Sequence, residues 1–354
     1  MLQKKYLLPI MLLVQILVLQ IISFFPGIVE NYYSNGIYLG ISNFSRIVLG
    51  WIPFSVGDIA YFIIIFWGLH WFWKKRKTWR SHWKDNLLHT LSVLSIACFL
   101  FHLLWAMNYH RVRLFDNMAI ATDYSDADLL KFTTRLIAKT NQLQLQITKS
   151  KDAKVVFPYS QEIIFDKNLE GYELLARQYP FFEYKHPSIK KSIISLPLTY
   201  MGFAGYLNPF TNESQVNYKL PMYTFPTVAA HEMAHQLGYA SESEANFIGY
   251  MASIKNEDAY MQYSGYVTAL RYCLANWDVR NQKVLTDLLK TVNPGILKNF
   301  KESDDFWESY ESFIEIGFKW FYDNFLKLNQ QEDGLDSYSK FVDLLVNYYR
   351  DRAL

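Results

Sequence analysis

Thr224-Phe225-Pro226-Thr227-Val228-Ala229-Ala230-His231-Glu232-Met233-Ala234-His235-Gln236-Leu237-Gly238 reads as a single helix. Thr224 can cap its start, Pro226 suits the first turn, and Gly238 can end it. At 3.6 residues per turn His231 and His235 fall one turn apart on the same face, so two imidazoles can reach one tetrahedral ion. Glu232 lies about 100° round the helix from His231, where a carboxylate can touch a zinc-activated water without binding the metal. The pattern His-Glu-x-x-His arises by chance in about one chain of this size in a hundred, so its surroundings decide. They are apolar, and a buried helix has no structural use for three ionisable groups.

A catalytic zinc usually takes a third protein ligand. Ser241-Glu242-Ser243-Glu244-Ala245-Asn246 opens a second helix directly after the Gly238 turn. Glu242 and Asn246 are four residues apart and share a face, so Glu242 can bind the metal while Asn246 supports a ligating histidine. Glu244 points about 200° away from Glu242 and is the alternative ligand if the second helix is rotated. Tyr206, Tyr239 and Tyr338 are each candidates to stabilise an oxyanion, and the sequence does not rank them.

Upstream of this pair the chain is apolar. Residues 6–25, about 56–73 and 87–107 are three runs of membrane-spanning length, with Asp58 blurring the start of the second. For the first run a cleavable signal peptide is the rival reading. Lys4 and Lys5 resemble its basic start, but the run is too long and ends in Phe24-Phe25-Pro26-Gly27 without a small-x-small site. Six cations (Lys74, Lys75, Arg76, Lys77, Arg80 and Lys84) lie between the second and third runs, against Arg46 alone between the first and second. The positive-inside rule then puts the N-terminus and the basic loop in the cytoplasm, and everything after residue 107 on the periplasmic side of the inner membrane. Arg111 and Arg113 count weakly against this. Residues 37–51 mix apolar and polar residues and read equally as a surface helix or a loop.

The expected organisation is a membrane anchor over residues 1–109 and one metallopeptidase-like domain over 110–354. A net charge of +2 excludes a nucleic-acid-binding surface, and the cysteines, Cys98 and Cys273 only, exclude a disulfide framework or thiolate cage. Any metal is therefore held by nitrogen and oxygen. Ser125-Asp126-Ala127-Asp128 marks a helix start, and residues 154–158 and 191–196 read as strands. The glycine-rich residues 201–210 suggest a strand and loop whose backbone comes close to something else, and offer an edge for an extended peptide. Helices are expected at 263–277, 284–292, 305–328 and 338–349. The fold class is thus mainly α, with three spans followed by an α+β domain with a small sheet and a helical C-terminal part.

The pair of motifs resembles the gluzincin metallopeptidases, in which Glu-x-x-Ala-Asp or Glu-x-x-Ala-Asn follows His-Glu-x-x-His; Glu242-Ser243-Glu244-Ala245-Asn246 matches position by position. The spacing between the motifs is short for thermolysin-like members. Pro53-Phe54-Ser55-Val56-Gly57-Asp58, Trp105-Ala106-Met107-Asn108-Tyr109, residues 205–252 and 337–345 also resemble an uncharacterised bacterial family of predicted three-span membrane zinc peptidases. The resemblance implies Zn2+ on His231, His235 and Glu242, with Glu232 as general base in the hydrolysis of a peptide or protein substrate, and membrane lipid as the other partner. An intramembrane protease would carry its zinc helix inside a spanning run, and the polar residues 241–244 speak against that. The reading from another class is a membrane-bound sensor or scaffold with a non-catalytic zinc site; the intact Glu232 counts against it.

Overall fold

Runs of apolar residues without prolines or charges form helices wherever backbone groups cannot be left to lipid. The computed structural model describes residues 4–329 and 338–354. Two of its helices, α3 (Val56–Lys75) and α4 (Trp83–Leu104), are long and apolar enough to cross a membrane. At 1.5 Å per residue they are about 30 Å or more in length. The first expected span is shorter. Helix α1 (Leu7–Ile22) turns by 98° at Phe25-Pro26 into a second helical stretch over Pro26–Leu49, and counts as a third crossing only if the bent pair is one span. Pro26 supplies the break, since it has no N–H to continue the ladder.

The chain's contacts orient these helices relative to each other. Lys5 pairs with Asp85 at 3.4 Å and Gln15 Nε2 donates to Ser95 Oγ at 3.0 Å, both pairs being 80 residues apart, so α1 and α4 run parallel. Lys5 therefore sits at the same end of the bundle as the basic loop that joins α3 to α4. At the opposite end the bundle meets the rest of the protein. Ser55 caps α3 by accepting the Asp58 N–H at 2.9 Å. Buried Glu213 accepts the next free donors, the N–H groups of Val56 and Gly57, and pairs with Lys190. Asp58, buried at the start of α3, accepts from Ser192, the Ile193 N–H and the Tyr206 hydroxyl.

Residues 37–51, open between surface helix and loop in the sequence, form α2 (Tyr38–Leu49), which continues a π-helical stretch, Val29–Ile37. Helix α2 is a packed element: Tyr38, Ser42 and Arg46 are buried, and Tyr38 and Ser42 donate to the carbonyls that end the histidine helix.

Beyond residue 110 the periodicity holds with local corrections. Helix α5 (Asp126–Thr148) starts at a reciprocal capping box between Ser125 and Asp128 and buries Leu129, Phe132, Leu136 and Ile137. The run at 154–158 is not a strand. The Val155 N–H and C=O are taken by the side chain of Asn299, so no second strand is needed to satisfy them. Helix α6 (Gln161–Gln178) follows. The strand expected at 191–196 lies earlier, as β1 (Ile189–Lys191), and gives way to a short helix, Ser195–Tyr200. The glycine-rich stretch does yield a strand, β2 (Gly205–Leu207), and β3 (Ser214–Val216), which sequence reading missed, joins both. The sheet order is β1-β3-β2, β3 parallel to β1 and antiparallel to β2, which leaves β2 at an edge.

The sheet packs on α7 (Phe225–Gln236), which α8 (Glu242–Lys255) and α6 cover on the other side. Helix α9 (Ala259–Arg280), α10 (Gln282–Leu289) and α13 (Tyr338–Tyr348) follow the expected pattern within a few residues. The helix expected at 305–328 is two, α11 (Pro294–Glu308) and α12 (Phe313–Leu328), divided at Ser309–Ser312. Gly249 lets α8 come close to α7: a Cβ there would stand 2.7 Å from the His231 backbone nitrogen. Gly249→Ala is therefore expected to cost about 1–3 kcal/mol through overpacking. A thermal midpoint of the purified protein unchanged from wild type would show that the two helices can part freely.

Candidate metal centre

Helix α7 is buried on almost all sides, so its polar groups face defined partners. Thr224 does not cap it as expected; its hydroxyl bonds back to the Pro221 carbonyl, and Pro226 in the first turn removes a donor instead. The exit is as read. Gly238 adopts φ +86°, which reverses the chain and starts α8 against α7. Arg111 fixes this reversal by donating to the Gly238 carbonyl at 2.9 Å while paired with Glu30 at 2.7 Å. Its role is structural: it ties the turn at Gly238 to Glu30.

The reversal brings Glu242 back onto the two histidines. Its Oε2 lies 3.3 Å from His231 Nε2 and its Oε1 3.8 Å from His235 Nε2, and Tyr322 of α12 donates to Oε1 at 2.6 Å. Ligand atoms of His231, Glu232 and His235 also lie within 4.8 Å of one another. Two carboxylates thus compete for the role of third ligand, and their surroundings separate them. Burial raises the Glu242 carboxyl, but His231, His235 and Tyr322 outweigh that and hold it at about 2, ionised. Glu232 is pushed by burial to about 8, the charge of His231 opposing, and its Oε2 has no hydrogen-bond partner among the described residues. The first suits a permanent ligand and the second a proton carrier. Glu244, the alternative, is turned away: it accepts the Leu114 N–H at 2.6 Å behind the helix.

The histidines are held unequally. His235 Nδ1 meets the Tyr239 carbonyl at 2.7 Å, which leaves Nε2 for the centre, and the Trp105 ring stands edge-on to the imidazole. Asn246 lies beside His231, as the shared face implies. Yet among the described residues His231 Nδ1 and the Asn246 amide nitrogen make no hydrogen bond of normal geometry. Gly205 of β2 is the close approach anticipated in the glycine-rich stretch: a Cβ there would come within 2.6 Å of Glu232 Oε1.

These groups face a cavity of about 600 Å³. Its walls are mostly apolar, rich in aromatic rings, and include residues from the ends of α3 and α4 that meet the rest of the protein (Tyr61, Phe101), from β2 and from α12 (Phe318, Tyr322). Of the tyrosines singled out in the sequence, Tyr206 lines the cavity but gives its hydroxyl to Asp58, and Tyr239 packs against Arg111 with only its carbonyl serving the site. The side chain of Tyr338 lies outside the described residues. Tyr322 was missed, because an aromatic in an apolar helix carries no mark of what it faces.

Over its described residues the chain is thus a mainly helical protein with a small three-stranded sheet and two or three helices long and apolar enough to cross a membrane. It belongs to the family described as "Protein of unknown function (DUF3810)", whose model matches residues 33–346. That description assigns no activity. No curated protein and no solved structure matches the chain.

Proposed function

We propose that the protein is a membrane-anchored zinc metallopeptidase of zincin-like fold, with residues 1–109 as anchor, residues 110–354 as catalytic domain and the site on the periplasmic side of the inner membrane. The observation that carries this is the convergence of His231, His235 and an ionised Glu242 beside a buried Glu232 that lines the same cavity. The donor set is two imidazole nitrogens and a carboxylate, which fits zinc. When bound there, zinc would supply a Lewis acid that polarises the scissile carbonyl and lowers the pKa of a water molecule, so that a neighbouring base can deprotonate it for attack. Glu232 takes the proton from the attacking water and returns it to the leaving amine, so that each protonation state is used once per turnover. The β2 edge lies along the cavity above Glu232 and suits an extended peptide. Tyr322, held on Glu242, fixes the carboxylate that must stay ionised.

The orientation follows from charge. Lys5 and the basic loop share one end of the bundle and the candidate centre lies at the other, so a cytoplasmic basic end places the centre outside. The test is zinc content and cleavage of a broad peptide library by the full-length protein in detergent. About one zinc per chain, lost in His231→Ala and His235→Ala, together with cleavage, supports the reading. Zinc without cleavage, in the wild type and in Glu232→Gln alike, would favour a membrane-bound sensor or scaffold.

A further inference from the structure

Helix α12 has two apolar faces. The inner one places Tyr322, Phe325 and the fully buried Leu326 against the site and the end of α4. The outer one, at helical spacing, presents Phe313 at 84%, Ile316 at 73%, Trp320 at 71% and Phe321 at 58% exposure. A contiguous stripe of this kind marks a surface that something covers.

We infer that the outer face of α12 is seated in the interface of the same bilayer that α3 and α4 enter, so that the cavity beside it opens toward lipid. Three observations favour lipid over a protein partner. The helix is docked on the spans: Phe325 of its inner face packs at 6.0 Å on Phe101 in the last turn of α4, and Phe321 of the outer stripe stacks on Phe325 at 6.5 Å. Half-exposed Ile193 and Leu196 extend the apolar surface at the same end of the bundle, Ile193 being tied to Asp58 at the start of α3. The charges of α12 are balanced within the helix, Glu315 with Lys319 at 2.6 Å and Asp323 with Lys327 at 2.7 Å. The seat therefore rests on aromatic and aliphatic area, as in helices that lie in the headgroup boundary. Phe318 and Phe321 line the cavity on one side and Tyr61 and Phe101, within the outer turns of the spans, on the other. An apolar segment of a membrane-bound polypeptide can enter between them without crossing water. This last step rests on the peptidase reading.

The seat is tested without reference to activity. In a Cys98→Ser background, with buried Cys273 left in place, nitroxide labels go on Ile316→Cys and Trp320→Cys of the full-length protein in phosphatidylcholine nanodiscs. Leu13→Cys in α1 is the lipid reference and Val279→Cys, 89% exposed on α9, the aqueous one. Labels at 316 and 320 should collide with oxygen more than with a water-soluble nickel chelate, as at 13. Nickel-dominated values like those at 279 would overturn the seat. A second measurement compares one apolar peptide supplied free in water and lipid-tethered on vesicles; tethering should raise cleavage by about tenfold or more through local concentration. Equal rates would overturn entry from lipid. Lipid-like labels with no cleavage in either format would leave the seat standing and remove the peptidase reading.

Discussion

Glutamine in place of Glu232 is expected to lower peptide cleavage by about 10²- to 10⁴-fold, the range a positioned general base contributes, while bound zinc stays at the wild-type level. The amide keeps the shape of the carboxylate, and the space left by Gly205 accommodates either. What it loses is the ability to accept and return a proton. The same change should not destabilise the metal-free protein, because it replaces a buried carboxyl whose ionisation is opposed by burial with a neutral group of equal size. Activity, metal content and thermal midpoint measured on one preparation separate this from misfolding. Turnover by the variant within a few-fold of wild type, or loss of zinc in parallel with activity, would remove Glu232 from the proton-carrying role.

How much of this was legible in the sequence follows from how local each signal is. Helix spacing is local, so the meeting of His231 and His235, the turn at Gly238 and the helix start at Ser125 could be read directly. The approach of Glu242 followed from a two-helix hairpin whose turn the sequence marks. Glu244 could be set aside only once Leu114, about 130 residues upstream, was seen to donate to it. Strands of three residues carry too little alternation to be recognised. The apolar run at 154–158 was misread because a single side chain, Asn299, takes both backbone groups of Val155. The docking of α2 on the end of α7 was out of reach for the same reason: Tyr38 and Ser42 are ordinary residues until their distant carbonyl partners are known. Pro53 to Asp58 and Trp105 to Tyr109 carried a resemblance in the sequence, and contacts now account for several of their residues. Ser55 caps α3, Asp58 clamps the sheet, and Trp105 buttresses His235.

Zinc uptake by the metal-free protein should release between one and two protons at neutral pH, and affinity should rise about ten- to a hundredfold per pH unit between pH 6 and 7. The four groups begin in different states. His235, pulled down by burial to about 4, is already neutral, and Glu242 at about 2 is already ionised. Burial pulls His231 down too, but the hydrogen bond to Glu242 and the charges of Glu232 and Glu242 outweigh it and hold its pKa above the usual value. Glu232, at about 8, keeps its proton at pH 7. A cation in the centre favours loss of both protons, so acid competes with metal. The sign for stability is set by the same two shifts. Both pKa values are raised on folding, so the stability they contribute is complete below their unfolded values and declines as pH rises, that of Glu232 from about 4.5 until it is gone above about 8. The metal-free thermal midpoint should therefore fall across this window, and Glu232→Gln should remove much of the fall. Stabilisation by zinc should grow across the same window. Calorimetry in two buffers of different ionisation enthalpy reads the proton count, and a zinc affinity independent of pH would show that neither His231 nor Glu232 is coupled to the metal.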